Sequence, residues 1–117
     1  MITERRKVRR FNGRFGIVSS DEEGLNFSFI TDLSRDGAYI ETERLFSLGG
    51  SFTFVLSNKV TQAPIMSRIV RVRDAFFHGG KSGFGVRFEK VDSRARVVRD
   101  DLLLYLMNLR YQDMWAA

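Results

Sequence analysis

The chain has 117 residues, of which 44% are hydrophobic, enough for one domain with a buried core. It contains no cysteine, which excludes disulfides and cysteine-ligated metal sites. The longest uncharged apolar run, residues 102–107, is far too short to span a membrane, and no signal-peptide pattern follows the basic start. We therefore expect a cytoplasmic protein.

Positive charge is concentrated at the start of the chain. The first ten residues hold five basic side chains and Glu4, so they contribute +4 of the net +5 and leave about +1 for the rest. Residues 1–13 are predicted to form an arm that ends in a turn at Asn12–Gly13. The basic residues of this arm are Arg5, Arg6, Lys7, Arg9 and Arg10. An arginine-rich arm on a nearly neutral body indicates an anionic partner.

Residues 14–91 read as a body of short strands separated by turns. The predicted strands are residues 14–20, 26–31, 38–41, 51–57, 65–73 and 83–89. Eleven phenylalanines and the alternation of apolar and polar side chains favour an all-β fold. Six short strands at hairpin spacing fit a barrel or a sandwich, and the pattern alone leaves both open. Closure into a barrel would remove the exposed strand edges.

A single helix is predicted over residues 94–112, within a C-terminal segment of residues 92–117, with Asp92 or Ser93 as its cap. Its apolar face is predicted to contain Val98, Leu102, Tyr105, Leu106 and Leu109. Further apolar residues extend around the side, namely Leu103, Met107 and Met114. This surplus has two explanations: the helix closes an open end of the barrel, or it forms a homodimer.

The residues that could support catalysis are few. His78 is the one histidine and lies in a glycine-rich hairpin tip, with no cysteine or second histidine to complete a metal site. Gly83-Phe84-Gly85 lacks the Lys–Ser/Thr pair and the following helix of a phosphate loop. We therefore predict a protein that is not an enzyme and needs no cofactor or metal.

A turn-rich hexapeptide, residues 32–37, carries a second functional signal. Asp32 and Ser34 alternate along the chain and are expected to share a face, with Leu33 pointing to the core. A carboxylate accepts hydrogen bonds from guanine N1–H and N2–H₂, and a serine hydroxyl both donates and accepts. Arginine forks fit phosphate oxygens and guanine O6 and N7. The arm and this turn together could therefore bind a guanine nucleotide.

The two segments resemble the motifs of the PilZ domain family, the bacterial receptor module for cyclic di-GMP. The chain contains Arg6-x-x-x-Arg10 followed by Asp32-x-Ser34-x-x-Gly37, about twenty residues apart. The flanking segments also match: Glu4-Arg5-Arg6, Ala38-Tyr39-Ile40-Glu41, Gly50 and Gly83-Phe84-Gly85-Val86-Arg87-Phe88. The resemblance covers nearly the whole chain and implies a six-stranded antiparallel β-barrel with a C-terminal helix. It also implies an arm that wraps over the ligand.

The resemblance further implies a role for each motif residue. Arg6 and Arg10 would grip phosphate and guanine, and Asp32 and Ser34 would bind a guanine edge. Gly37 would shape the turn.

Arg5 precedes the motif, as in relatives that bind an intercalated pair of ligand molecules, and would contact the second guanine. Arg5 and Arg9 also fit the R-x-x-x-R spacing. We favour Arg6–Arg10, because Phe11 then occupies the apolar position that usually follows. Arg9 and Lys7 would mainly attract the anionic ligand.

The leading hypothesis is a cyclic di-GMP receptor that relays the second-messenger level to a separate, unidentified effector protein through ordering of its arm. One alternative is a PilZ-like protein-interaction module that binds no nucleotide. A small nucleic-acid-binding barrel is disfavoured, because the body carries only about +1, although Arg68, Arg71 and Arg73 could form one basic stripe.

Overall fold

The computed structural model describes residues 11–21, 24–44, 46–73 and 82–116. The described part comprises six strands and one helix. These elements are β1 (Phe11–Asp21), β2 (Gly24–Leu33), β3 (Gly37–Glu41), β4 (Ser51–Ser57), β5 (Gln62–Arg73), β6 (Gly83–Lys90) and α1 (Ser93–Ala116).

The strands form a closed barrel in the order β1-β2-β3-β6-β5-β4, and every neighbouring pair is antiparallel. Because β1 pairs with both β2 and β4, the sheet closes on itself and leaves no free edge. The sequence left a barrel and a sandwich open, and the predicted six-stranded antiparallel barrel is confirmed.

Alternating side chains fill the barrel with aromatic and aliphatic groups. In β4, Phe52, Phe54 and Leu56 are buried while their neighbours Ser51 and Thr53 are exposed. Several of the buried rings touch, as Phe52 and Phe84 do with centroids 4.9 Å apart in an edge-on arrangement. This two-residue period is the one expected for strands with one buried face.

Strand β1 differs from the prediction at its start. It begins at Phe11 instead of residue 14, and the predicted turn at Asn12–Gly13 is wrong. Phe11 pairs with Leu33 and Asn12 with Asp32, followed by an irregularity before Phe15. Buried Phe11 joins the core, so pairing and burial outweigh the turn preference of the Asn-Gly pair. The hairpin tip with His78 lies outside the described residues.

Helix α1 is capped by Asp92, whose Oδ1 accepts a hydrogen bond from the Ala95 backbone N–H at 2.9 Å. The helix packs against β1, β4 and β5. Its buried residues are Ala95, Val98, Leu102, Leu103 and Leu106, all part of the barrel's core.

The predicted apolar face of α1 is partly wrong. Tyr105 is 53% exposed, with its ring tilted against that of Phe15 at a centroid distance of 6.4 Å, whereas Leu103 is buried. The side chains of Leu109 and Met114 lie outside the described part of the chain. Within the residues that the structure describes, no helix is long and apolar enough to cross a membrane.

Candidate ligand-binding site

The hexapeptide of residues 32–37, the motif turn, links β2 to β3 and is closed by its own hydrogen bonds. The Ser34 backbone N–H and hydroxyl both donate to the Gly37 carbonyl oxygen, at 2.9 and 3.2 Å. The Gly37 N–H in turn donates to Ser34 Oγ at 3.1 Å. Ser34 is only 7% exposed and its hydroxyl proton is directed within the turn, so the side chain primarily fixes the shape of this segment.

Two other elements hold the same turn. The Phe88 N–H in β6 donates to the Asp36 carbonyl oxygen at 2.7 Å. Arg99 on α1 donates from Nη1 to the Arg35 carbonyl oxygen at 3.1 Å, and its side chain is 11% exposed. The helix is therefore bonded directly to the backbone of the motif turn. Nothing in the local sequence around either residue indicated this contact.

Gly37 allows the turn to lie close to β6. It pairs with Arg87, and a Cβ at this position would collide with the Val86 carbonyl oxygen. The glycine of the motif is therefore required by the approach of β3 to β6. Leu33, as predicted, points into the core and is fully buried.

Asp32 lies on the outside of the barrel, next to the irregularity that separates it from Ile30. It is half-buried, and its Oδ1 is shielded from solvent. The residue pairs with Asn12 in β1 on one side and with Tyr39 in β3 on the other. The beginning of β1 thus lies directly beside the motif turn.

The predicted arm residues Arg5, Arg6, Arg9 and Arg10 lie outside the described residues, and so does Lys7. What the structure gives is the point at which the arm joins the barrel. Arg10 is bonded to Phe11, and Phe11 is paired with Leu33 of the motif turn. Phe11, the residue that follows the basic segment, therefore lies beside the turn, even though the two are about twenty residues apart in sequence.

Tyr39 covers part of the barrel's outer face next to Asp32. A Cβ at Gly83 would lie 2.9 Å from the Tyr39 hydroxyl, so the ring extends from β3 across β6. Burial raises the pKa of Tyr39, and the guanidiniums of Arg73 and Arg71 partly oppose this rise. The sequence alone identified Tyr39 as part of a segment that flanks the motif and gave it no role in the site.

The predicted basic stripe of Arg68, Arg71 and Arg73 is interrupted. Arg68 donates to Glu89 at 3.1 Å and to the Gly49 carbonyl oxygen at 2.8 Å, which engages it away from the other two. Arg71 and Arg73 instead pair with Gly85 and Gly83 of β6. Among the described residues, no three His, Cys, Asp or Glu side chains form a group that could hold a metal ion.

Comparisons with known proteins place this geometry in a family. A family profile described as the PilZ domain matches residues 4–107. The fold is similar to the PilZ domain with c-di-GMP of YcgR from Escherichia coli, with a TM-score of 0.74 and 13% identity, over 97% of this chain and 100% of that one. It is also similar to the Bacillus subtilis Inhibitor of motility (MotI/DgrA), at TM-score 0.71 and 16% identity, over 94% of this chain.

A third similar structure is the K. pneumonia MrkH-c-di-GMP complex, with a TM-score of 0.75 and 15% identity over 96% of this chain. The present chain spans 53% of the MotI/DgrA chain and 57% of the MrkH chain. No curated protein matches the sequence. At these low identities, the structural similarity shows only a shared fold. Membership of the family rests on the profile, which matches the sequence over residues 4–107.

Proposed function

Because the chain belongs to the PilZ domain family, we propose that it is a receptor that binds cyclic di-GMP where β1 enters the barrel beside the motif turn. Two of the similar structures, the YcgR PilZ domain and MrkH, are described with c-di-GMP bound. The same ligand fits the chemistry of this chain, because a basic arm meets a carboxylate that can accept from a guanine edge.

One observation carries the proposal: Phe11 pairs with Leu33, and Asn12 pairs with Asp32. A purely electrostatic arm would need no fixed relation to a carboxylate. Here the strand register places Asn12 beside Asp32 at the spacing of neighbouring strands, about 5 Å. This register supports a site in which the arginines that precede Phe11 and the carboxylate of Asp32 bind one ligand.

The proposed roles follow from chemistry and position. Arg6 and Arg10 bind phosphate and guanine, and Asp32 accepts from the guanine N1–H and N2–H₂ donors. Ser34 and Gly37 keep the turn in shape, in keeping with the hydrogen bonds of Ser34 and the close packing of Gly37 on Val86.

Arg5 and Arg9 are assigned separately. Arg5 contacts the second molecule of an intercalated ligand pair, and Arg9 supplies attraction without a specific bond. The alternative register, Arg5–Arg9, reverses these assignments and is distinguished by single alanine variants.

Titration calorimetry with cyclic di-GMP on the whole chain tests the proposal. Replacing Arg6 or Arg10 with Ala removes a charged hydrogen bond, which should cost about 1.5–3 kcal/mol, or about ten- to over a hundredfold in affinity. The charge-matched controls are the single variants Arg94→Ala and Arg96→Ala, because both side chains are exposed on α1. A stoichiometry of two that falls to one in Arg5→Ala supports the intercalated pair.

The results that contradict the proposal are specific. Absence of wild-type binding at tens of micromolar ligand contradicts receptor function. Equal losses in the arm variants and in the Arg94 and Arg96 controls indicate a general charge effect instead. Tight binding of random oligonucleotides that collapses with salt favours the nucleic-acid alternative.

Relay to an effector protein is a further part of the proposal. Helix α1 contacts the motif turn through Arg99 and leaves Val97, Leu104 and Tyr105 exposed, which gives a partner an apolar surface. The same surface supports the second candidate function, a protein-interaction module without nucleotide binding, and a homodimer through α1. Light scattering with and without ligand separates the dimer from the monomer. The cytoplasmic location stays a prediction, to be tested by cell fractionation.

A further inference from the structure

The outer face of β6 has no side chains along part of its length. Phe84 and Val86 point into the core and are buried. The alternating glycines, Gly83 before Phe84 and Gly85 between Phe84 and Val86, therefore face outward. We call the outward surface of these two glycines the glycine floor. Tyr39 lies over the Gly83 half, whereas the Gly85 half has ordinary van der Waals space on the side of Arg71.

This floor continues from the proposed ligand site. Strand pairing connects four outward positions on four adjacent strands, in the order Asp32, Tyr39, Gly85 and Arg71. Three inter-strand spacings separate the first from the last, roughly 14 Å. A guanine held at Asp32 therefore occupies only one end of the row.

The far end of the row is positively charged. Arg71 pairs with Gly85 and Arg73 with Gly83, so the two arginines border the floor from β5. Because Gly85 and Gly83 face outward, their register partners Arg71 and Arg73 lie on the same outer face, and a Cβ at Gly85 would lie 3.5 Å from the Arg71 Cβ. Side chains two positions apart on a strand are about 7 Å apart. This spacing allows two guanidinium groups to approach one phosphodiester or two neighbouring phosphates.

The groups on this surface can bind the parts of a nucleotide. They are exposed backbone, an aromatic ring and two arginines. A flat base or ribose can lie against backbone where no Cβ intervenes, and the arginines supply charge to the phosphate. We infer that the glycine floor with Tyr39, Arg71 and Arg73 binds the part of cyclic di-GMP that lies beyond the guanine at Asp32, including a phosphodiester. This inference rests on the proposed function and extends its site onto β6 and β5.

Titration calorimetry on the whole chain tests the extension with two independent variants. Arg71→Ala with Arg73→Ala removes the charges; both side chains are exposed, so the fold should tolerate the change. Gly85→Ala adds one methyl group to the floor; its Cβ would lie 3.5 Å from the Arg71 Cβ, an ordinary contact. The control pair, Lys59→Ala with Lys90→Ala, removes the same charge from exposed sites elsewhere on the barrel.

The arginine pair should weaken cyclic di-GMP binding by about tenfold or more and make it less sensitive to salt, since charged contacts are lost. Gly85→Ala should also weaken binding by about tenfold with unchanged salt dependence, because it acts by steric overlap. The lysine control should bind like the wild type, and thermal unfolding should be similar in all four proteins.

Three outcomes would contradict either the extension of the site or the proposed function. Wild-type binding that both floor variants retain overturns the extension and leaves the proposed function intact. Equal losses in the arginine and lysine pairs overturn it as well, because net charge would then explain the effect. A wild type that does not bind overturns the proposed function and the extension with it.

Discussion

Gly37 in the motif turn and Gly85 on the glycine floor are both strand glycines of one barrel, but they face different neighbours. A Cβ at Gly37 would collide with the Val86 carbonyl oxygen, whereas one at Gly85 would meet only the Arg71 Cβ at 3.5 Å. The first glycine is required by the packing of the protein on itself. The second leaves space at the surface, where a ligand can use it.

The same contrast holds for the polar groups of the two regions. In the motif turn, the carbonyl oxygens of Arg35, Asp36 and Gly37 all accept hydrogen bonds, from α1, β6 and Ser34. On the glycine floor, the side chains of Arg71 and Arg73 are exposed. Ser34 and Gly37 of the family motif therefore stabilise the fold, and we propose that residues outside the motif contribute directly to binding.

The largest effect is expected from Gly37→Ala. The added methyl group must push β3 away from β6, which should lower the free energy of unfolding by about 3 kcal/mol or more. Gly85→Ala places a methyl group where there is space for it, and should change the free energy of unfolding by less than about 1 kcal/mol. Urea unfolding of both variants measures the difference. Similar losses of stability in the two would remove the distinction between the regions.

Arg99→Ala should have an intermediate effect. It removes the charged hydrogen bond to the Arg35 carbonyl oxygen and the packing of a largely buried stem, worth about 1.5–3 kcal/mol. Arg99→Met keeps most of the packing and loses the bond, so it should lose less stability. Both variants should bind cyclic di-GMP more weakly than Arg96→Ala, an exposed control on the same helix. Wild-type affinity in Arg99→Met would show that the turn needs no support from α1.

The smallest effect concerns Tyr39 at high pH. Burial raises its pKa above the usual 10.0. Well below pH 10.0 the phenol is protonated in both the folded and unfolded states, and its contribution to stability is fully present. As the pH rises further, the unfolded phenol ionises first, so stability is lost until the pH passes the folded pKa. Wild type should therefore lose more stability than Tyr39→Phe above pH 10.0 in urea unfolding. Equal losses would contradict burial of this hydroxyl.

Much of the fold could be predicted from local sequence patterns. Alternation in β4 and β6, the cap at Asp92 and the turn at residues 32–37 depend on neighbouring residues, and the structure has each of them. The start of β1 was missed, because pairing with β2 outweighs the Asn12–Gly13 turn preference. The exposure of Tyr105 was missed because helical spacing does not tell which apolar stripe meets the barrel.

The candidate site was predictable only in part, because some of its contacts join residues that are far apart in sequence. Asp32, Ser34 and Gly37 form a contiguous motif, and their grouping is visible in the sequence. The bond from Arg99 to Arg35 joins residues 64 positions apart, and the row from Asp32 to Arg71 depends on the register of four strands. Such contacts are set by tertiary pairing, which a local pattern does not specify.

The most direct measurement is an amide NMR titration of the ¹⁵N-labelled chain with cyclic di-GMP. If the motif turn and the glycine floor form one binding surface, the largest shifts should fall on residues 32–39, 71–73 and 83–87, with little change in β4. The arm residues should shift with the same ligand dependence. Shifts confined to the arm, or spread over β4 and the exposed face of α1, would contradict a single site formed by the arm, the turn and the floor.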